Sequence, residues 1–175
     1  PFIPQIGQLM IAVPHVVKSL IAEFFGTMFL VMAVALSVAG AGGAIAIGLS
    51  LTVMIYTFGH VSGAHFNPAV TAAIFARGNH NIEILDAFGY MISQILGGFM
   101  GAGIAKDALE YYHNGTQSIN YPKLAGGAGE FTGLIVEILG TFTLASVVLN
   151  VATTKAQAHN SHFGAAIGLT VTAWA

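Results

Sequence analysis

The segment IAEFFGTMFLVMAV at 21–34 returns 114 residues later as IVEILGTFTLASVV at 135–148, with Ile, Glu, Gly, Thr, Leu and Val in register. AIGLS at 46–50 returns in the same order as AIGLT at 166–170, 120 residues later. Two matches in one order, with a small difference in spacing, mark an internal duplication. Four apolar runs reach membrane-spanning length, about 19–39, 43–59, 84–104 and 131–152, and a fifth begins near 163. A span needs roughly 20 residues at about 1.5 Å of rise each. The first copy opens the first run and the second copy opens the fourth. An odd number of crossings separates them, so the copies insert with opposite orientation. That is an inverted repeat, with its functional site expected at the midplane where the halves meet.

Composition fixes the solvent. Of 175 residues, 55% are hydrophobic and 7% charged, against roughly 25% charged in soluble domains. So few charges cannot coat a water-facing globule of this size, and the class is a polytopic all-α membrane protein. A net charge of −2 without basic clusters argues against nucleic acid, and the absence of cysteine excludes disulfide and thiol chemistry. No phosphate-binding loop is present and no cofactor or metal is implied. Residues 1–18 lack a basic leader and are broken by Pro14, which reads as an N-terminal tail or interfacial segment. The last residues, GAAIGLTVTAWA, stop inside an apolar run, so the expectation is that the natural chain continues. Residues 105–127 read as a polar loop carrying the sequon Asn114-Gly115-Thr116, usable only on an extracellular or lumenal face. With the N-terminus inside, Lys18, Arg77 and Lys155 fall on the cytoplasmic side, and Lys106 and Lys123 on the other.

Between the second and third runs lies GHVSGAHFNPAVTAAIFARG, 59–78. Asn67 suits an N-cap, Pro68 the first helical position and Gly78 an exit. A helix over 68–77 is about 15 Å long, half the hydrocarbon core. A re-entrant segment over 61–78 fits: VSGAHF enters extended and PAVTAAIFA returns as helix. Irregular backbone at membrane depth is tolerated only where it lines a cavity or is buried in protein. The carbonyls of Gly63, Ala64 and His65 then lack helical partners and are free to face a file of solute. The positive end of the short helix dipole points at the midplane.

SGAHFNPAV in this setting, with AEFFGT in the first span and VEILGT in the fourth, resembles the signatures of the aquaporin (major intrinsic protein) family over about 19–175. The resemblance implies an inverted-repeat bundle of six spanning helices and two re-entrant half-helices. About four and a half spans and one half-helix fall in this chain: a first repeat over 19–104 and an incomplete second over 128–175. The step from Gly48 to Asn67, repeated from Gly168, points to a second Asn-Pro-Ala near position 187, past the last residue. By resemblance, the Asn67 amide donates to the transiting solute, while Pro68 and Ala69 shape the turn. The rival reading makes Asn67 a helix cap alone, although capping and donation can coexist.

Glu23 and Glu137 sit inside spans, where a carboxylate costs roughly 2.5–3.5 kcal/mol and needs partners. The resemblance implies that each accepts backbone N–H groups of a re-entrant loop. A proton relay would need a chain of ionisable partners within the spans, and none is present. Leu30 and Leu144, seven residues beyond these glutamates, and Leu51 and Val171, three beyond Gly48 and Gly168, correspond to the family's apolar pore wall; ordinary packing is the alternative. Ile47 and Ala175 correspond to two positions of the selectivity filter. They depart from the Phe and His of water-strict members and imply a less polar, wider filter. A one-residue shift would put Trp174 there instead. His60 and His65 flank the loop and read as holding it rather than binding metal. His159 and His162, in the cytoplasmic connection, are a gate on protonation or simply solvated. Gly97-x-x-x-Gly101 suits close helix packing.

The resemblance implies a passive channel, not an enzyme. It would admit water and small neutral solutes such as glycerol, urea, ammonia or hydrogen peroxide, exclude protons and ions, and form a homotetramer in the plasma membrane or an internal vacuolar or vesicular membrane. The alternatives are a junctional membrane protein of the same fold, using the 105–127 loop, and a coupled secondary transporter, which needs more embedded ionisable groups. Osmotic swelling that is fast and independent of ion gradients separates the first from both.

Overall fold

The computed structural model describes residues 13–37, 41–78, 82–113 and 129–175. Its helices are α1 His15–Leu36, α2 Ala41–Ser62, α3 Pro68–Arg77, α4 Ile84–His113, α5 Glu130–Thr153 and α6 Phe163–Trp174, with a 3₁₀ turn, Lys155–Gln157, before the last. Among the described residues there is no strand. The helices α1, α2, α4 and α5 are long and apolar enough to cross a membrane. Their outward faces carry Leu85, Phe88, Phe99, Phe131 and Phe142, all well exposed. A helix apolar on every side is one whose solvent is lipid or protein, not water.

Two expected boundaries move. The first helix begins at His15, inside the stretch assigned to the tail, because Pro14 starts it rather than interrupting it: the Pro14 carbonyl accepts the Lys18 amide at 3.2 Å. The fourth helix runs to His113, two turns into the expected 105–127 loop. Loss of hydropathy marks the edge of the apolar span, not the end of the helix. KDALEYYH contains no breaker, and Lys106 and Glu110 pair across one turn at 3.7 Å. The sequon at Asn114 lies outside the described residues.

Small residues set the packing. A Cβ at Gly97 would strike the carbonyl of Phe24, and one at Gly101 the carbonyl of Met28. The Gly-x-x-x-Gly face of α4 thus lies directly on the α1 backbone, and the two helices run parallel. A Cβ at Gly48 would strike Thr172 and the Gly168 carbonyl, and one at Gly168 would strike Thr52 and the Gly48 carbonyl. The repeated segments therefore meet each other. With Tyr56 against Gly164 at the far end, α2 and α6 run antiparallel, the relation that an inverted duplication requires. The core joins both halves: Leu51, Ile55, Phe66, Val70 and Ile74 pack with Val148 and Ile167.

Candidate functional site

Helix α2 continues to Ser62, so the irregular stretch is shorter than expected and comprises Gly63–Phe66. Three of these residues have left-handed backbone: Gly63 (φ 87°), Ala64 (φ 53°) and Phe66 (φ 48°). For Ala and Phe that conformation costs on the order of 1–3 kcal/mol each, and it persists only where its surroundings impose it.

The imposing group is Glu23, which is completely buried. Its Oε1 accepts the His65 backbone N–H at 3.0 Å and the Ser62 hydroxyl. Its Oε2 accepts the Phe66 N–H at 2.7 Å and the Gln94 side-chain amide at 2.8 Å. Four donors on one carboxylate satisfy a charge that would otherwise be prohibitive at this depth. Gly26 lies one turn along α1, and a Cβ there would collide with the Phe66 ring. The repeated Glu-x-x-Gly thus has a local meaning: the glutamate holds a loop amide, and the glycine makes room for the side chain that follows.

Other elements complete the clamp. Ser62 Oγ accepts the Ala64 N–H at 3.1 Å, and Tyr90 donates to the Ser62 carbonyl at 2.9 Å. Ser19 donates to the Val61 carbonyl at 3.0 Å. Gln94 also donates to Thr71 Oγ1 at 2.9 Å, and Thr71 Oγ1 meets His65 Nδ1 at 3.1 Å. The His65 ring packs edge-on against Tyr90. His65 therefore braces the loop, whereas His60 is exposed and takes no part in this network. The N–H groups of Ala64, His65 and Phe66 are all consumed by protein. Among the described residues, the carbonyls of Gly63, Ala64 and His65 accept no hydrogen bond.

Asn67 caps α3. Its Oδ1 accepts the Ala69 N–H at 2.8 Å and the Val70 N–H at 3.4 Å. Two backbone donors fix the oxygen, so the amide orientation follows, and the Nδ2 group is left over as a donor. The helix ends at Gly78 (φ 74°), whose N–H reaches the Phe75 carbonyl at 3.0 Å.

Ala64, His65, Phe66 and Asn67 border a cavity of about 330 Å³. Leu30, Leu51, Leu144 and Val171 line the same cavity, and so does Ile47. Gly63 does not; it is exposed at the head of the loop. Glu137 borders the same cavity from α5 but is exposed, without the amide partners that Glu23 has among the described residues. Ala175 and Trp174 lie apart from Ile47, in an adjoining cavity of about 180 Å³ that shares Glu137, Leu144 and Val171 with the first. The Trp174 ring covers Gly140, the counterpart of Gly26, at the distance of ordinary contact. His159 and His162 are exposed in the α5–α6 connection and line neither cavity.

Sequence reasoning missed Gln94, Thr71, Ser62 and Tyr90 as partners of the loop. A polar amide in the middle of an apolar span was a usable signal for Gln94. The bonds of Arg77 were also missed: placed in the sequence only on the cytoplasmic side, it donates to the Leu149 carbonyl at 2.7 Å and to Thr154 Oγ1 at 3.3 Å, joining the end of α3 to the end of α5.

The family model for Major intrinsic protein matches residues 10–175. Among curated proteins, the chain is 36% identical over 162 residues to "Glycerol uptake facilitator protein-like 6" of Lactiplantibacillus plantarum, covering 88% of this chain and 72% of that protein. It is 36% identical over 173 residues to "Aquaporin NIP1-1" of Zea mays, covering 93% and 58% respectively. It is 34% identical over 188 residues to "Aquaporin NIP1-2" of Arabidopsis thaliana, covering 98% and 61%. The chain thus spans less than two thirds of the length of the two plant relatives.

Proposed function

The chain belongs to the major intrinsic protein family and is an integral, multi-pass membrane protein, and from that premise we propose that it forms a passive channel for water and small neutral solutes. The names of the relatives, aquaporin and glycerol uptake facilitator, support that solute class. The observation that carries the reading is the division of labour around Asn67. Its Oδ1 is committed to the helix cap, and its Nδ2 remains as a donor beside the cavity. On the same side, Ala64 and His65 offer uncommitted carbonyls. Leu30, Leu51, Leu144 and Val171, which also line the cavity, offer no polar partner.

A neutral solute in this cavity exchanges hydrogen bonds along one side only. Its oxygen accepts from Asn67 Nδ2, and its hydrogens donate to the carbonyls as it moves. The apolar wall adds no bonds that must be broken sideways. The positive N-terminal end of α3 meets the same point and disfavours cations, and an oxygen accepting from Asn67 is turned away from relaying a proton. Glu23 acts by holding the loop, not by exchanging protons, since all four of its partners are donors in place. No covalent chemistry is involved. Ile47 leaves this part of the passage apolar, which favours glycerol-sized solutes alongside water. A homotetramer with one passage per protomer follows the family pattern.

The test is osmotic swelling of vesicles containing the full-length protein. Water and glycerol entry well above that of empty vesicles, unchanged by imposed proton or sodium gradients, is the expected result. Entry at the rate of bare lipid counts for a structural role instead, and entry that follows an ion gradient counts for a coupled carrier.

A further inference from the structure

The clamp around Glu23 ties the N-terminal end of α3 to α1, α2 and α4, all in the first repeat. Much of the cavity wall facing Asn67 belongs to α5 and α6, in the second. Something must fix where α3 stands against that wall. The packing between α3 and α5 is apolar, with Val70 and Ile74 in one cluster with Val148. Apolar contact is non-directional and sets distance better than register. Among the described residues, the polar bonds that join α3 to α5 are those of Arg77.

Their placement is specific. Leu149 lies in the last turn and a half of α5, and its carbonyl also accepts the hydroxyls of Thr153 at 2.7 Å and Thr154 at 3.0 Å. Arg77 closes α3. The negative ends of two helix dipoles therefore converge on one guanidinium, which is favourable for both. The planar fork, engaging a carbonyl and a hydroxyl at once, fixes orientation as a point charge does not. Helix α3 is a rod of ten residues with Asn67 at its head and Arg77 at its foot. Holding the foot to Leu149 sets the height of the head against Leu144 and Val148, which stand on the same α5.

We propose that Arg77 is a positioning residue for permeation: through Leu149 and Thr154 it fixes the depth at which α3 presents Asn67 to the second repeat. The inference rests on the channel reading, and two measurements separate the two. The first is single-channel-equivalent water permeability of the full-length protein in vesicles, at matched incorporation, for wild type, Arg77→Gln and Arg77→Lys. Arg77→Gln is expected to lower permeability about fivefold, the fold-change to which the net worth of one hydrogen bond corresponds. Arg77→Lys, which keeps one donor to Leu149, should recover part of it. The second is backbone hydrogen exchange across 70–77, which needs no permeation. It should quicken in Arg77→Gln and leave the α1–α4 pair unchanged. Unaltered exchange in α3, or quickened exchange with full permeability, overturns the proposal. A wild type no faster than empty vesicles overturns the channel reading, and exchange then still decides whether Arg77 positions α3.

Discussion

The backbone N–H of Phe66, in the irregular stretch between α2 and α3, donates to Glu23 of α1 at 2.7 Å. The ring of the same Phe66 fills the space left by Gly26 on the next turn of α1. One motif therefore controls both the direction of the loop's amides and the seating of its side chain. The carbonyls remain for the cavity because the amides are already taken.

Glu23→Gln replaces an acceptor oxygen with a donor among four donors. At least one loop N–H or the Gln94 amide then loses its partner in a buried setting. The expected loss is about 1–3 kcal/mol of stability, read as a lower melting temperature in detergent. A melting temperature equal to wild type would mean that the loop holds its left-handed backbone without the carboxylate.

The glycines of α4 are not equivalent. Gly97→Ala and Gly101→Ala each push a methyl against a carbonyl of α1, and backbone cannot turn aside. Overpacking of this kind costs about 1–3 kcal/mol. Gly103, in the same helix, has nothing within 4 Å of its Cβ position. Gly103→Ala should be neutral or stabilising by about 0.4–1 kcal/mol, because it restricts the unfolded chain. The three melting temperatures should order accordingly, and equal effects at all three would contradict the close α1–α4 contact.

Ile47 borders the cavity on the side of α2 and is buried. Ile47→Phe adds bulk there without adding a polar group. Glycerol entry is expected to fall more steeply than water entry in paired swelling assays. Equal reduction of both would place the limiting constriction elsewhere.

Local signals and distant ones fared differently in the sequence. The short helix was legible at both ends, since Asn67, Pro68 and Gly78 act within a few residues of themselves. Leu30, Leu51, Leu144 and Val171 were reachable through the family resemblance together with the spacing of the duplication, and all four line one cavity. The boundaries of α1 and α4 were misread because hydropathy reports where lipid would end, whereas helix ends follow capping and breakers. Gln94, Tyr90 and Thr71 were missed for another reason. Their partners are separated from them in sequence or stand on other helices, and nothing in the residues themselves names a carboxylate 71 positions away. Arg77 bonds to a backbone carbonyl, an acceptor that every residue carries and no sequence pattern marks.

The central claim is that Asn67 has two separable duties, with Oδ1 capping α3 and Nδ2 donating to solute. Asn67→Asp keeps the acceptor for the Ala69 and Val70 amides and removes the donor, whereas most cap losses cost about 1 kcal/mol. The direct measurement is stopped-flow water permeability of full-length wild type and Asn67→Asp in vesicles of equal protein content, with melting temperatures taken alongside. A permeability lower by about tenfold, the fold-change to which the loss of one hydrogen bond of about 1.4 kcal/mol corresponds, with stability preserved, is the predicted result. Equal permeability in the two proteins would contradict it.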